Sequence, residues 1–91
     1  MTLRINASID MTKCWLEIGD DDVKYHQVSV IVGSGTTNTF RYGEITAVLR
    51  GTDSVLSFQV GRQTFKIPTK QDNAEHRTAV ARLVSNCRRT L

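Results

Sequence analysis

The most constraining feature of this sequence is a change of periodicity at Pro68. Before it, apolar and polar residues alternate in short runs that are typical of strands. After it, the apolar residues follow helical spacing: Val80, Leu83, Val84, Cys87 and Leu91. Pro68 has no amide donor and ends the last strand, and Asp72 or Asn73 can cap the helix that follows. We therefore predict strands over about residues 3–67 and one helix over about 73–90, with its apolar stripe packed on a sheet.

The alternation near the N-terminus changes phase once. Odd-numbered residues are apolar over 3–11, whereas even-numbered residues are apolar over 14–18. A strand with one buried face needs a constant period of two, so the slip near Lys13 predicts a bulge, a bend or a break. Trp15 then points to the face opposite its apolar neighbours, either under the helix or toward a partner.

The middle of the chain contains a dense β-branched run. Residues 28–32 read Val-Ser-Val-Ile-Val, and β-branched side chains suit pleated sheets better than helices. Ile31 points opposite its neighbours, so this run is either a strand buried on both sides or a strand at an oligomer interface. Gly33–Asn38 is predicted to be a polar loop, and Gly61-Arg62 a tight turn between two alternating strands.

The order of these elements predicts the fold class. A chain of 91 residues, 40% hydrophobic and 23% charged, is ordinary for one globular domain. About six or seven strands followed by one helix predict a single antiparallel α+β domain over residues 1–91. Parallel βαβ units are excluded because no second helix is available for the crossovers. Residues 1–6 lack the charged head and apolar run of a signal peptide, so we expect a cytoplasmic protein.

The segment Phe40–Val48 resembles a step in bacterial pleckstrin-homology-like and GRAM-like domains, where an aromatic strand leads into a short turn. In those domains an isoleucine of the turn, matched here by Ile45, plugs the core. The hairpin and the terminal helix downstream agree in order, and residues 16–23 look like the family's first hairpin. The resemblance covers about residues 14–90 and implies a strongly bent antiparallel barrel of roughly seven strands, capped at one open end by the helix.

The resemblance also implies a binding scaffold and not an enzyme. Some members bind phosphoinositides through lysines and arginines in the first strand-to-strand loop. The corresponding loop here is Gly19-Asp20-Asp21-Asp22, and its carboxylates would repel a phosphorylated head group. Phosphoinositide binding at this loop is therefore disfavoured, whereas protein binding and self-assembly stay open.

The residue pattern predicts no catalytic group, cofactor or metal site. Cys14, Cys87, His26 and His76 lack the paired spacing of zinc ligands, and no serine lies in a nucleophile elbow. We expect the two cysteines to be buried, inert thiols, which could form a bridge only if the strand and the helix end meet in space. His76 is expected to be a partly buried helix residue bonded to a backbone carbonyl.

The charges are distributed unevenly along the chain. Acids outnumber bases up to Asp22. Residues 77–91 contain no acid and four arginines: Arg77, Arg82, Arg88 and Arg89. This basic helix end either complements the negative end of the helix dipole or binds nucleic acid or an anionic membrane. Nucleic acid binding is expected less, because no exposed aromatic array accompanies the arginines for base stacking.

The sequence as a whole favours a non-enzymatic protein-interaction or assembly module. Edge strands present unpaired amides and carbonyls to an extended peptide or to a second copy. Trp15 and Ile31 are the apolar side chains that we predict to be exposed for such contacts. Self-association is expected, and the alternative function is the arginine-rich helix face described above.

Overall fold

The computed structural model describes residues 2–51, 54–70 and 72–89, with side chains up to residue 88. In this part of the chain the elements are β1 (Leu3–Ile9), β2 (Thr12–Ile18), β3 (Asp22–Ser29), β4 (Gly35–Arg41), the 3₁₀ helix η1 (Tyr42–Glu44), β5 (Ile45–Arg50), β6 (Val55–Val60), β7 (Gln63–Pro68) and α1 (Ala74–Arg89). The predicted α+β class, with antiparallel strands followed by a C-terminal helix, is confirmed.

The strands form two antiparallel sheets, in the order β1-β2-β3-β4 and β5-β6-β7. Within each sheet, strands that are consecutive in the chain pair with each other, so each sheet is a meander of hairpins. Among the described strands the two sheets are not closed into a barrel. The predicted bent sheet or partly open barrel is thus a pair of sheets that share one core.

The core lies between the two sheets and under the helix. Its residues with no exposed surface include Ile5, Leu16, Ile18, Leu56, Ile67 and Leu83. Each such side chain stabilises the fold by roughly 1.5–3 kcal/mol relative to exposure to water. The alternation of apolar residues in β1, β2 and β6 therefore determines which face of each strand points inward.

A cluster of aromatic rings joins the two sheets. Phe65 lies 4.8 Å from Phe40, 5.4 Å from Phe58 and 5.5 Å from Tyr25, measured between ring centroids. The Tyr25 hydroxyl also donates a hydrogen bond of 2.8 Å to the Lys66 carbonyl oxygen. Because β3 and β4 belong to one sheet and β6 and β7 to the other, these contacts hold the sheets together.

The helix begins at the predicted cap. The Asn73 side-chain oxygen accepts a hydrogen bond of 3.1 Å from the His76 amide, which satisfies one of the first-turn donors. The His76 ring was predicted to bond to a backbone carbonyl, but its Nδ1 accepts a hydrogen bond of 3.0 Å from the Lys70 amide. Helix α1 packs against β1, β2 and η1.

The buried face of α1 is rotated relative to the predicted stripe. The buried residues along the helix are His76, Ala79, Leu83, Asn86 and Cys87. Val80 and Val84, which we predicted to be buried, are only half-buried, and Leu91 lies outside the described residues. The burial of His76, Leu83 and Cys87 agrees with the predicted stripe. Hydrophobicity alone missed Ala79 and Asn86, because neither residue is strongly apolar.

The phase slip near Lys13 is a break between two strands. Ile9 pairs with Thr12, and Asp10 and Met11 form the hairpin turn between them. Asp10 has a φ of 53°, a left-handed conformation that Asp tolerates better than most residues. Met11, which continues the buried phase in the sequence, is therefore exposed at the turn.

The strand that contains the β-branched run ends earlier than predicted. β3 stops at Ser29, and Val30–Val32 form an exposed turn. The predicted polar loop is shorter, because Thr36–Asn38 belong to β4 and pair with β3. Gly35 begins β4 at a close approach: a Cβ there would lie 2.7 Å from the Gln27 carbonyl oxygen, so the strand needs glycine at this point.

Candidate interaction surfaces

Two turns meet at one end of the four-stranded sheet. One is the β1–β2 turn at Asp10-Met11, and the other is the β3–β4 turn that follows Ser29. The Val30 amide donates a hydrogen bond of 2.8 Å to the Met11 carbonyl oxygen, and the Gly33 amide donates one of 2.9 Å to the Ser29 carbonyl oxygen. The two turns are therefore tied into one unit.

This unit presents a group of aliphatic side chains to solvent. We call it the apolar tip, and its residues are Ile9, Met11, Val30, Ile31 and Val32. Their exposed fractions lie between 40% and 74%. Asp10 is the charged residue within the tip, and Lys13 follows it in β2. The tip thus combines high apolar exposure with little net charge.

The binding strength available from the apolar tip can be bounded. The exposed fractions are equivalent to about three fully exposed side chains, so burying the tip completely would be worth roughly 5–9 kcal/mol. Association itself costs an estimated 4–15 kcal/mol in lost translational and rotational freedom and side-chain ordering. The tip alone therefore supports weak or transient binding, and a tight complex needs further contacts.

Trp15 is not the exposed ring that the sequence predicted. Its side chain is half-buried on the outer face of the four-stranded sheet. The His26 ring stacks on it at 4.8 Å between centroids, and the Arg4 guanidinium carbon lies 5.0 Å from its centroid. Arg4 and His26 come from the strands on either side of β2, so both neighbours cover the ring. Trp15 therefore has less surface for a partner than Ile31, which is 74% exposed as predicted.

The contacts of His26 explain why this stack is fixed. Its Nδ1 lies 2.9 Å from the Thr37 hydroxyl on β4. Its Nε2 lies 3.4 Å from Glu17 Oε1, a distance that suits an ion pair, but the atom is buried and makes no hydrogen bond of good geometry. A cross-strand row of polar groups thus holds the imidazole beside Trp15.

The three helix arginines whose side chains the structure describes differ in exposure. Arg77 and Arg88 are exposed, Arg82 is half-buried, and the side chain of Arg89 lies outside the described part. Burial raises the pKa of the buried Tyr42 hydroxyl, and a hydrogen bond with Asn86 opposes that rise; Asp22 adds a smaller increase and Arg82 a smaller decrease. An acid of the Gly19–Asp22 turn and a helix arginine therefore influence the same hydroxyl.

The acidic turn and the second half of the helix meet at one corner of the domain. The Asn86 side-chain amide reaches the Gly19 carbonyl oxygen at 3.5 Å, and the Tyr42 hydroxyl donates to the same oxygen. Asn86 is buried at this junction. The acidic turn therefore lies beside the second half of α1, joined to it through the Gly19 carbonyl oxygen.

An open concavity at the same corner is dominated by carboxylates. Its lining includes Asp20, Asp21, Asp22 and Glu44, with Arg41 as a cation among them. Carboxylates in such a lining disfavour a phosphorylated ligand electrostatically. This concavity is therefore a poor site for an inositol phosphate or a nucleic acid backbone.

The two cysteines lie on different elements of the fold, and so do the two histidines. Cys14 lies in β2 and Cys87 in α1; both are buried, neither forms a disulfide, and burial raises the pKa of both thiols. His26 lies on the outer face of the sheet and His76 at the start of the helix. Within residues 2–51, 54–70 and 72–89, no three His, Cys, Asp or Glu side chains converge as a metal site would need.

Comparison with known proteins identifies no relative. No protein-family model matches the chain, and no curated protein or solved structure matches it significantly. Among the described residues, the structure has no helix with the length and apolar character needed to cross a membrane.

Sequence reasoning identified one residue of the apolar tip and missed the other four. Ile31 was predicted to be exposed, whereas Ile9, Met11, Val30 and Val32 were assigned to strands. Two signals could have found them. The phase slip near Lys13 requires a turn before it, and the Gly-Ser-Gly sequence directly after Val32 leaves little length for a strand.

Proposed function

We propose that this chain is a non-enzymatic protein-interaction or assembly module that binds through the apolar tip, with strand edges as a second kind of contact. The observation that carries the proposal is the exposure of five aliphatic side chains on two turns that are hydrogen-bonded to each other. Contiguous apolar patches of this kind on a small protein commonly mark a binding site.

We propose further that the domain is pleckstrin-homology-like or GRAM-like. A four-stranded meander, a three-stranded meander and a terminal helix follow each other in the order that the resemblance implies. Ile45 is buried directly after η1, which agrees with the core-plugging isoleucine of that family. This agreement supports a binding scaffold. It identifies no partner, because a fold alone does not specify function.

The state of the reactive side chains supports a non-enzymatic role. His76 accepts a backbone hydrogen bond, and His26 is stacked on Trp15. The thiols of Cys14 and Cys87 are buried with raised pKa values, so neither is the thiolate that nucleophilic catalysis requires. We therefore assign these groups to the stability of the fold.

A protein is the partner that fits the apolar tip best. Its side chains are aliphatic and carry little net charge, so electrostatic attraction to nucleic acid or to an anionic membrane would contribute little there. The arginine-rich helix is the alternative surface, but Arg82 is half-buried and the acidic turn lies beside it. A cytoplasmic location remains part of the proposal.

The decisive experiment identifies the partner and then tests Ile31. A photo-reactive amino acid at position 31 captures the partner in living cells, and titration with the purified partner gives its Kd. We expect Ile31→Asp to raise the Kd at least about tenfold, because it removes apolar burial and places a carboxylate in a dry contact. Thr64→Asp is the matched control, since it adds the same charge at an exposed position of β7. Equal values of Kd for wild type and Ile31→Asp would refute binding through the tip.

The same preparation tests the alternative function. RNA and phosphatidylserine vesicles are offered to the wild-type chain over a range of salt concentrations. Binding that weakens steeply with salt and is lost in the Arg82→Glu/Arg89→Glu double variant would favour the arginine-rich helix. We expect no binding of this kind, and we expect the partner's Kd to be insensitive to that double variant.

A further inference from the structure

Strand β5 is an edge of the three-stranded sheet and has an exposed apolar side. The sheet order is β5-β6-β7, so one side of β5 has no neighbour within its sheet. Thr46, Ala47 and Leu49 are exposed, and Leu49 is 70% exposed. A leucine this accessible on an edge strand is unusual, because exposed edges commonly carry charges that prevent pairing with another chain.

The backbone of β5 is arranged to pair on its outer side. The Gly51 amide donates a hydrogen bond of 3.1 Å to a carbonyl of β6, and residues alternate in an antiparallel ladder between those that bond to the neighbour and those that do not. By this alternation Ala47 and Leu49 direct their amides and carbonyls toward β6, and Val48 and Arg50 direct theirs away from it. Two residues thus offer both a donor and an acceptor to an additional strand.

The features that normally protect such an edge are scarce in β5. Its ladder with β6 has an irregularity between Ile45 and Ala47, which limits pairing at the beginning of the strand. Arg50, at its end, is the charged residue of the strand, which contains neither lysine nor proline. By contrast, β7 ends at Pro68, and β4 exposes threonines instead of large aliphatic side chains. The remaining edge strand, β1, packs against α1 and β7. β5 is therefore the edge best suited to strand addition.

We propose that β5 joins a second copy of this chain by two-fold antiparallel pairing centred on Val48. In that register Leu49 of each copy lies across from Ala47 of the other, so a large side chain meets a small one twice. Arg50 falls opposite Thr46, at the irregular beginning of the other copy's strand, so like charges are not placed opposite each other. The strand therefore supplies its own complement, which favours a second copy over an unrelated extended peptide. This inference rests on the proposed use of strand edges, but it is independent of the apolar tip.

The pairing has a signature that alternates along the strand. Sedimentation of the full chain should show a monomer–dimer equilibrium. Hydrogen exchange should slow at the amides of Val48 and Arg50 as the protein concentration rises, whereas exchange at Ala47 and Leu49, already bonded to β6, should respond only weakly. Leu49→Lys should weaken dimerisation at least about tenfold, since it removes the apolar contact from each copy and adds charge to the edge.

Two further variants separate edge pairing from general surface effects. Gln59→Lys places the same charge on the same face, one strand away from the edge, and should leave the dimer intact. Arg50→Pro removes an outward amide without touching the ladder to β6 and should weaken the dimer as Leu49→Lys does.

The results that would overturn this inference are distinct from those that would overturn the proposed function. If the chain is strictly monomeric at about 1 mM, the proposed pairing through β5 is refuted and the proposal for the apolar tip is unaffected. A dimer that survives Leu49→Lys but is lost in Ile31→Asp would place the contact between copies at the tip. If Leu49→Lys abolishes the dimer and Ile31→Asp leaves the partner's Kd unchanged, pairing through β5 is supported and the proposed function is refuted.

Discussion

Replacement of Leu83 by alanine tests how the helix is held against the sheets. Leu83 has no exposed surface and belongs to the core cluster that both sheets share. The change removes three carbon atoms, worth about 0.8 kcal/mol each in transfer free energy, and leaves a cavity that the core fills only in part. We therefore expect the free energy of unfolding to fall by roughly 3–4 kcal/mol.

This loss is large for a chain of this size. A domain of 91 residues typically unfolds with about 5–14 kcal/mol, so the variant should lose a substantial share of its stability. At roughly 4–8 °C per kcal/mol, the melting temperature should fall by more than about 10 °C. Urea titration followed by Trp15 fluorescence and by far-ultraviolet circular dichroism measures the free energy directly.

Val84→Ala is the matched control on the next residue of the helix. Val84 is half-buried, and alanine favours the helix more than valine does, so this change should cost less than about 1 kcal/mol. A Leu83→Ala variant that loses no more stability than Val84→Ala would refute the burial of Leu83. The packing of α1 on β1 and β2 would then be wrong as well.

The remaining predictions concern the start of the helix. Asn73→Ala should cost about 1 kcal/mol in the same titration, because it removes the acceptor for the His76 amide, whereas Asn73→Asp should retain most of that energy; equal losses in both variants would argue against the cap. Burial, with a further contribution from Lys70, lowers the pKa of His76 below its ordinary value of 6.5. Between the lowered pKa and about pH 6.5, the unfolded chain binds a proton at His76 that the folded chain does not. The stability that comes from keeping His76 neutral is therefore complete above about pH 6.5 and is lost as the pH falls toward the lowered pKa. His76→Gln should flatten that part of the stability–pH profile, and an unchanged profile would contradict the assignment.

Local chemistry was sufficient to predict the C-terminal half of the fold. The turn at Gly61-Arg62 lies where the sequence predicted it, and Gly61 has the positive φ of 61° that favours glycine. β7 ends at Pro68, and Asn73 caps the helix. Each of these features depends on residues close together in the chain, so the sequence carries the full signal.

Pairing partners decided the segments that sequence reasoning assigned wrongly. β3 pairs with β2 only as far as Ser29, which faces Thr12, because β2 begins there. Val30–Val32 have strand-forming side chains but no strand beside them, and they become a turn. Thr36–Asn38 have a weaker signal but become strand because β3 lies alongside.

The candidate surfaces also divide into features that the sequence predicts and features that depend on contacts between distant residues. Ile31 could be identified from the sequence because it breaks the pattern of its neighbours, and the acidic Gly19–Asp22 loop could be identified from its composition. The half-burial of Trp15 could not, since it depends on Arg4 and His26 from flanking strands. The meeting of the acidic turn with the helix also depends on a contact between residues far apart in the chain.

The sequence by itself determined the order of strands and helix, the positions of the turn at Gly61 and the cap at Asn73, and the absence of recognisable catalytic spacing. These properties follow from periodicity and from the conformational preferences of single residues. Only the tertiary structure decided which apolar residues remain in water, because exposure depends on where a neighbouring strand ends. The apolar tip and the exposed Leu49 both arise at such ends and edges, where strand-forming side chains have no further partner in the described chain.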